Sequence, residues 1–175
     1  MDYGKTARKF RKQRLTDFSS ASSHRVSYNQ QDIMTILPHR DPFLLVDSID
    51  IIDIPNKCIM GRRLIHEKDP VFEGHFPSFP IYPGVLHVEM TGQLGICLNH
   101  FLKANSSVLA ANTERIEVRL LKILHVFFQY EVLPGDNLTI ICMELESDAY
   151  KSTGIGQIIK DDLVCTVSIA ESYQI

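Results

Sequence analysis

Two side chains in residues 74–95, which read GHFPSFPIYPGVLHVEMTGQLG, are suited to acid–base chemistry. A histidine titrates near neutral pH, so His75 could act as a general base. Glu89 follows fourteen residues later in a mostly apolar stretch, where a carboxylate is costly unless it is paired or neutral. Because burial favours the neutral form of a carboxyl group, Glu89 is a candidate general acid.

A proline at every third position stiffens the loop that carries His75. Pro77, Pro80 and Pro83 each fix φ at about −65° and push the residue before them towards extended geometry. Such a loop holds the histidine in place at little further entropic cost on folding. Pro83 is also suited to the first position of a helix.

An apolar helix is predicted over residues 85–101. Its apolar side chains are spread around the whole circumference, which is typical of a buried helix. Gln93 lies four residues after Glu89 and shares its face of the helix. The pattern therefore predicts a glutamate inside the core; the alternative is a glutamate that reaches solvent.

The rest of the sequence predicts an α+β domain in which a curved antiparallel sheet wraps this helix. Turn residues, among them Asp161-Asp162 as a tight hairpin turn, separate apolar, β-rich runs, which gives about six strands. The predicted strands include residues 42–53, 57–65, 123–132, 137–147, 150–160 and 163–172. Such a sheet leaves edges that need cover, so we expect a homodimer.

Composition limits the class of protein. At 175 residues and 45% hydrophobic content, the chain can build one good core. It has no run of about 18 apolar residues, so we expect no membrane insertion. The four cysteines are widely spaced within apolar runs, which favours reduced, buried thiols in the cytoplasm over structural zinc.

The first 30 residues differ from the rest in charge. They hold seven Lys/Arg against two Asp, a net charge of +5, whereas the remainder carries −8. A serine-rich stretch follows the basic residues. We expect residues 1–30 to be a flexible, solvated arm and residues 31–175 to be the folded domain. The alternatives are a helix that packs on a neighbouring subunit or an acidic partner, and a targeting peptide.

Three motifs resemble those of the 3-hydroxyacyl-[acyl-carrier-protein] dehydratases. They are LPHRDPFLLVD (residues 37–47), the segment 74–95, and VLPGDNL (residues 132–138). Three motifs in the family's order are a stronger signal than any one of them. The resemblance implies the hot-dog fold, a homodimer that can assemble into a trimer of dimers, and active sites at the subunit interface.

The resemblance also implies roles for individual residues. It makes His75 the catalytic histidine and Glu89 the catalytic acid, with Gly84 as the backbone donor to the thioester carbonyl. Gln93 falls on the family's glutamine, which either contacts substrate or orients Glu89 and the nearby loop. His39, in the LPHR motif, would have a structural role in its loop.

The reaction implied is removal of water from a 3-hydroxyacyl chain on acyl carrier protein, giving a trans-2-enoyl product. A base removes a proton from C2, an acid protonates the hydroxyl leaving C3, and a donor stabilises the thioester oxygen. These roles need no metal and no organic cofactor. We expect no nucleic-acid partner. The alternatives are an acyl thioester hydrolase on the same fold and a non-catalytic acyl-binding subunit.

The chain departs from the family where basic or aromatic residues are usual, at Asp41, Ser48, Gln129 and Tyr130. Acyl carrier proteins are acidic, so the loss of basic residues changes the docking surface. We hypothesise that the basic residues 5–14 replace them. The departures favour a specialised pathway, such as polyene or polyketide-like lipid synthesis, over housekeeping fatty acid synthesis.

Overall fold

The computed structural model describes residues 1–113, 115 and 117–174. A seven-stranded antiparallel sheet packs against a long helix, so the predicted α+β class is confirmed. The helices are α1 (Tyr3–Phe10), α2 (Gln30–Ile36), α3 (Val71–Gly74) and α4 (Gly84–Ala104). The strands are β1 (His24–Asn29), β2 (Ser48–Asp53), β3 (Cys58–Leu64), β4 (Val118–Phe128), β5 (Asn137–Ser147), β6 (Lys151–Lys160) and β7 (Leu163–Gln174). Their order in the sheet is β1-β2-β3-β5-β6-β7-β4.

Helix α4 packs on one face of the sheet, here called the inner face, and forms the centre of the main core. Met90, Leu94 and Phe101 of this helix are completely buried, as the apolar pattern predicted. The approach to β6 is close, because a Cβ atom on Gly156 would lie only 2.4 Å from Thr91 Cβ. The helix is therefore fixed tightly against the sheet, and with it the side chains that it presents.

The hairpins follow the predicted turns. Asp161 and Asp162 join β6 to β7 with φ values of 47° and 66°, which suit a tight two-residue turn. Strand β2 begins at Ser48, later than the predicted strand over residues 42–53. Before it, the Phe43 carbonyl and the Leu45 N–H bond to the side chain of Gln93 on α4 instead of to a neighbouring strand.

The basic N-terminal segment is structured, which differs from the flexible arm that we expected. Residues 1–23, here called the N-terminal strap, cover the outer face of the sheet, opposite α4. Ala7 and Leu15 are buried there. The buried sheet residues of this outer cluster are Ile141, Ile155, Ile159, Val164, Val167 and Ile169. Because that face is itself apolar, covering it removes hydrophobic surface from water.

The remainder of the expected arm adds the seventh strand. Residues 24–29 form β1, which pairs antiparallel with β2 at one edge of the sheet. The sheet therefore has seven strands, where we predicted about six. The boundary that we placed at residue 30 falls between β1 and α2, so the sheet includes residues from both sides of it.

Gln157 fastens the strap to β6. Its side chain is completely buried and lies beneath the strap. Its Oε1 accepts a hydrogen bond from the Leu15 N–H at 2.8 Å, and its Nε2 donates to the carbonyl oxygens of Phe10 at 2.6 Å and Gln13 at 2.8 Å. These bonds satisfy backbone groups that would otherwise be buried without partners.

His87 is buried in α4 between the sheet and the loop before the helix. Its Nδ1 lies 2.8 Å from Thr166 Oγ1, and its ring stacks on Tyr82 with centroids 5.9 Å apart. Burial lowers the pKa of His87 to about 4. The native state therefore resists protonation of this ring, whereas the unfolded chain accepts a proton near pH 6.5.

We predict that His87 makes the protein sensitive to acid. As the pH falls from about 6.5 to about 4, the unfolded state gains a proton that the native state does not, so stability is lost. The free energy of unfolding should drop by about 2.5 kcal/mol between pH 7 and pH 4.5 from this group alone. Denaturant titrations of His87→Gln at both pH values should show a drop smaller by that amount. The control His24→Gln, at an exposed histidine, should lose as much stability between the two pH values as the wild type does. An equal loss in the wild type, His24→Gln and His87→Gln would contradict the prediction.

Candidate active site

The loop between α3 and α4 orients His75 through backbone groups. The histidine caps the C-terminus of α3, where its N–H donates to the Val71 carbonyl at 3.0 Å. Its ring Nδ1 lies 2.7 Å from the Ile81 carbonyl oxygen. Because a carbonyl can only accept, Nδ1 must be the donor, and the neutral ring keeps a free lone pair on Nε2. That is the arrangement a general base requires.

The loop differs from the predicted geometry at one position. Phe76 has φ of 50° rather than the extended backbone expected before Pro77. This left-handed residue turns the chain and places the Phe76 ring against the imidazole of His75, with centroids 4.4 Å apart. Further along, the Tyr82 N–H donates to the Val132 carbonyl at 2.8 Å and ties the end of the loop to the segment before β5.

Gly84 begins helix α4, and Pro83 is its N-cap rather than its first residue as predicted. A Cβ atom on Gly84 would lie 2.8 Å from the Phe128 ring, so any larger residue here would displace that ring. The first N–H groups of a helix have no partner within it. Gly84 therefore offers a backbone donor at the positive end of the helix dipole, beside the half-exposed Phe128 ring.

Gln93 is completely buried and holds Glu89 against a nearby loop. Its Nε2 donates to Glu89 Oε1 at 2.9 Å and to the Phe43 carbonyl at 2.8 Å, and its Oε1 accepts from the Leu45 N–H at 2.8 Å. Both amide hydrogens are used within the chain. The contacts favour the orienting role for Gln93 over direct contact with substrate.

The apolar pattern of the helix predicted that Glu89 is buried. Its side chain is instead 32% exposed in the single chain. Its Oε1 also lies 3.5 Å from His39 Nε2. The sequence assigned His39 only to the structure of its loop and did not show this neighbour. The LPHR motif was the only sequence signal that drew attention to His39. It could not show the contact with Glu89, because the two residues are fifty positions apart.

A cavity of about 260 Å³ opens beside Glu89, between α4 and the sheet. His39 and Glu89 lie along its wall together with the helix residues Gly92 and Gly95, and Ser168 belongs to the sheet side. A Cβ atom on either glycine would meet nothing within 4 Å. The cavity wall along these two glycines is therefore open, and the cavity lining is mostly apolar.

The structure does not bring all the predicted residues together. Among the residues described, His75 is not part of the cavity wall that holds Glu89, and the two side chains share no hydrogen bond. Glu89 and Gln93 are in contact, whereas His75 belongs to the loop that joins α3 to α4 and Gly84 is the first residue of α4. Within the described part of a single chain, His75 and Glu89 therefore do not line one cavity.

Comparison with known proteins places the chain in a class. Residues 37–168 match the FabA-like domain family, so the chain belongs to that family. The match begins at the LPHR motif and leaves out the N-terminal strap and β1.

Curated relatives narrow the class further. The chain is 34% identical to the 3-hydroxyacyl-[acyl-carrier-protein] dehydratase FabZ of Syntrophomonas wolfei over 145 residues, which is 81% of this chain and 92% of that protein. It is 43% identical to the enzyme of the same name from Rickettsia bellii over 109 residues, covering 62% and 70%. The chain is thus a FabZ-like member of the 3-hydroxyacyl-[acyl-carrier-protein] dehydratase family, and its predicted enzyme class, hydro-lyase, is confirmed.

Solved structures share the fold. The dehydratase heterocomplex ApeI:P from Xenorhabdus doucetiae superposes with a TM-score of 0.61 at 19% identity, covering 82% of this chain and 90% of that one. A mutant thioesterase from Pseudomonas aeruginosa gives 0.53 at 10% identity, covering 73% and 80%. At these identities the likeness concerns the fold alone, and it confirms the predicted hot-dog fold. In the part of the chain that the structure describes, no helix is long and apolar enough to cross a membrane.

Proposed function

We propose that this protein removes water from 3-hydroxyacyl chains on acyl carrier protein and releases trans-2-enoyl thioesters, with His75 as base and Glu89 as acid. Family membership supports the reaction, and the observation that supports the roles best is the His75 ring. Its Nδ1 bond to the Ile81 carbonyl fixes the proton of the neutral ring on Nδ1, so that Nε2 carries the lone pair that can take a proton. A histidine held in this way is suited to one proton transfer.

Each step of the reaction has a group in this chain. His75 Nε2 takes a proton from C2, and the electron pair of that C–H bond forms the C2=C3 double bond. The C3–O bond breaks as Glu89 gives its proton to the departing hydroxyl, which leaves as water. The Gly84 N–H donates to the thioester oxygen while negative charge develops there. Protonated His75 and ionised Glu89 then return to their starting states by proton exchange with solvent.

The active site is completed by a second copy of the chain. The separation of His75 from the cavity beside Glu89 supports a site in which each subunit supplies one of them. Strand β4 lies at the open end of the sheet order, and its side chains Leu120, Leu121 and Ile123 are about half exposed. An apolar free edge of this kind favours association with another subunit. The resemblance also implies that three such dimers can assemble.

The acyl carrier protein would dock on the basic face of the N-terminal strap. Lys5, Arg8, Lys9 and Lys12 are exposed there, and charge attraction to an acidic carrier would guide its approach. Gln129 forms hydrogen bonds with Arg11 of the strap. The residue before it, Phe128, packs beside Gly84, so the strap lies next to the proposed thioester site. We propose the cytoplasm as the compartment, in fatty acid or related polyene or polyketide-like lipid synthesis, since all four cysteines are free and buried.

Mass spectrometry of a 3-hydroxyacyl carrier thioester incubated with the wild-type protein tests the reaction. We expect loss of one water from the acyl chain with the thioester intact. Release of free thiol would indicate a hydrolase instead, and an unchanged substrate across several chain lengths would favour a non-catalytic acyl-binding subunit. Either of these two results would overturn the proposal.

A further inference from the structure

His39 lies beside Glu89 in the same chain and has a polar atom without a partner. Its Nε2 is 3.5 Å from Glu89 Oε1. Its Nδ1 is buried, and no hydrogen-bond partner for it occurs among the residues that the structure describes. We propose that His39 is a positioning residue: together with Gln93 it fixes Oε1 of Glu89 as the accepting oxygen, so that Oε2 delivers the proton. This role rests on the proposed function.

The loop that carries His39 is held at both ends. The Arg40 Nη1 group donates to the carbonyl oxygens of Leu37 at 2.9 Å and of His39 itself at 2.6 Å. On the other side, Gln93 bonds to the backbone of residues 43 and 45. The His39 ring is therefore set opposite Glu89 by a fixed backbone and does not depend on its own weak contact to stay there.

The buried Nδ1 decides which tautomer of His39 is present. A proton on Nδ1 would be a buried donor without an acceptor, which costs more than leaving a lone pair unused. Of the two neutral tautomers, the one with its proton on Nε2 is thus favoured, and that nitrogen lies 3.5 Å from Glu89 Oε1.

Two donors on one oxygen make the carboxyl group asymmetric. Gln93 Nε2 and His39 Nε2 both face Oε1, so this oxygen is the one that accepts hydrogen bonds. The proton of the neutral acid is then carried by Oε2. The His39 contact is longer than an ordinary hydrogen bond, and catalytic contacts of this kind tighten when substrate binds. Without His39, Glu89 could rotate and present either oxygen.

Steady-state kinetics of two His39 variants test this role. In His39→Leu we expect kcat to fall about 10- to 100-fold with KM within about twofold, because a displaced acid slows the chemical step and leaves binding unchanged. His39→Gln, which keeps a donor near the Nε2 position, should recover kcat to within about threefold of wild type. The exposed His66 gives the control His66→Leu, which should behave as wild type.

A second measurement does not depend on turnover. Nitrogen-15 NMR of the imidazole groups, assigned by comparison with His39→Gln, should show His39 protonated on Nε2 at neutral pH. Protonation on Nδ1 would overturn the proposal. Given an active wild type, three kinetic results would also overturn it. These are a normal kcat in His39→Leu, a rise in the KM of His39→Leu without a fall in kcat, and a failure of His39→Gln to recover activity. A wild type that removes no water would overturn the proposed function and this role together.

Discussion

Mixing inactive His75→Ala subunits with inactive Glu89→Gln subunits should restore about a quarter of the wild-type dehydration rate. Each change alone should lower kcat by about 10²- to 10⁴-fold, the usual contribution of a general acid or base. In a site shared between subunits, a mixed dimer has one intact site and one doubly altered site. Random exchange of equal amounts makes about half of the dimers mixed.

The experiment requires subunit exchange, which mild denaturation and refolding of the mixture would provide, followed by the water-loss assay. Mixing either variant with the double variant His75→Ala/Glu89→Gln is the control and should restore nothing, since every site then lacks at least one group. If the two single variants also restore nothing, while wild-type subunits treated in the same way remain active, the base and the acid belong to one chain. That result would contradict the shared site.

Deleting residues 1–23 should leave a protein that melts far below the full-length chain or does not remain folded. The deletion exposes the apolar outer face of the sheet and removes the buried side chains of Ala7 and Leu15. Each large apolar side chain that loses its burial costs about 1.5–3 kcal/mol. With Phe10 and Phe18 packed on the same cluster, the total should exceed about 4 kcal/mol, a large part of the stability of an ordinary domain.

Thermal unfolding followed by circular dichroism would measure this effect, and a charge variant separates it from carrier binding. Replacing Lys5, Arg8, Lys9 and Lys12 with glutamine changes the exposed face of the strap and keeps its apolar face. This variant should keep its Tm within a few degrees, yet bind an acidic carrier more weakly, most visibly at low salt. A truncated protein that melts with the full-length chain would show that the strap is not part of the folded domain.

Local sequence patterns were sufficient to predict the central helix and the hairpin between β6 and β7. The continuous apolar pattern of residues 85–101 predicted α4, and Asp161-Asp162 between two β-rich runs predicted a hairpin. The strap was not predicted because basic and serine residues dominate the segment and its apolar residues are few. Tyr3, Ala7 and Phe10 recur at helical spacing and all contact the outer cluster, so the signal was present in a short segment.

The site was only partly predictable for a different reason. His75, Gly84, Glu89 and Gln93 lie within one continuous motif, and the motif names them without giving their contacts. The partners of Gln93 at residues 43 and 45 are about fifty positions away in the chain, as is His39. Such contacts follow from how the LPHR loop folds over α4, and no spacing within a helix or a strand encodes them.

The two halves of the site differ in how easily mutation can disturb them. The partner that orients His75 is the carbonyl of Ile81, a main-chain group that every amino acid at that position would supply. The partners that orient Glu89 are side chains, Gln93 and, by our proposal, His39. Substitutions in the loop therefore leave His75 aligned, whereas a single substitution at Gln93 or His39 can release Glu89. Among descendants of this protein, substitutions that change the rate of water loss should therefore be found more often around Glu89 than around His75.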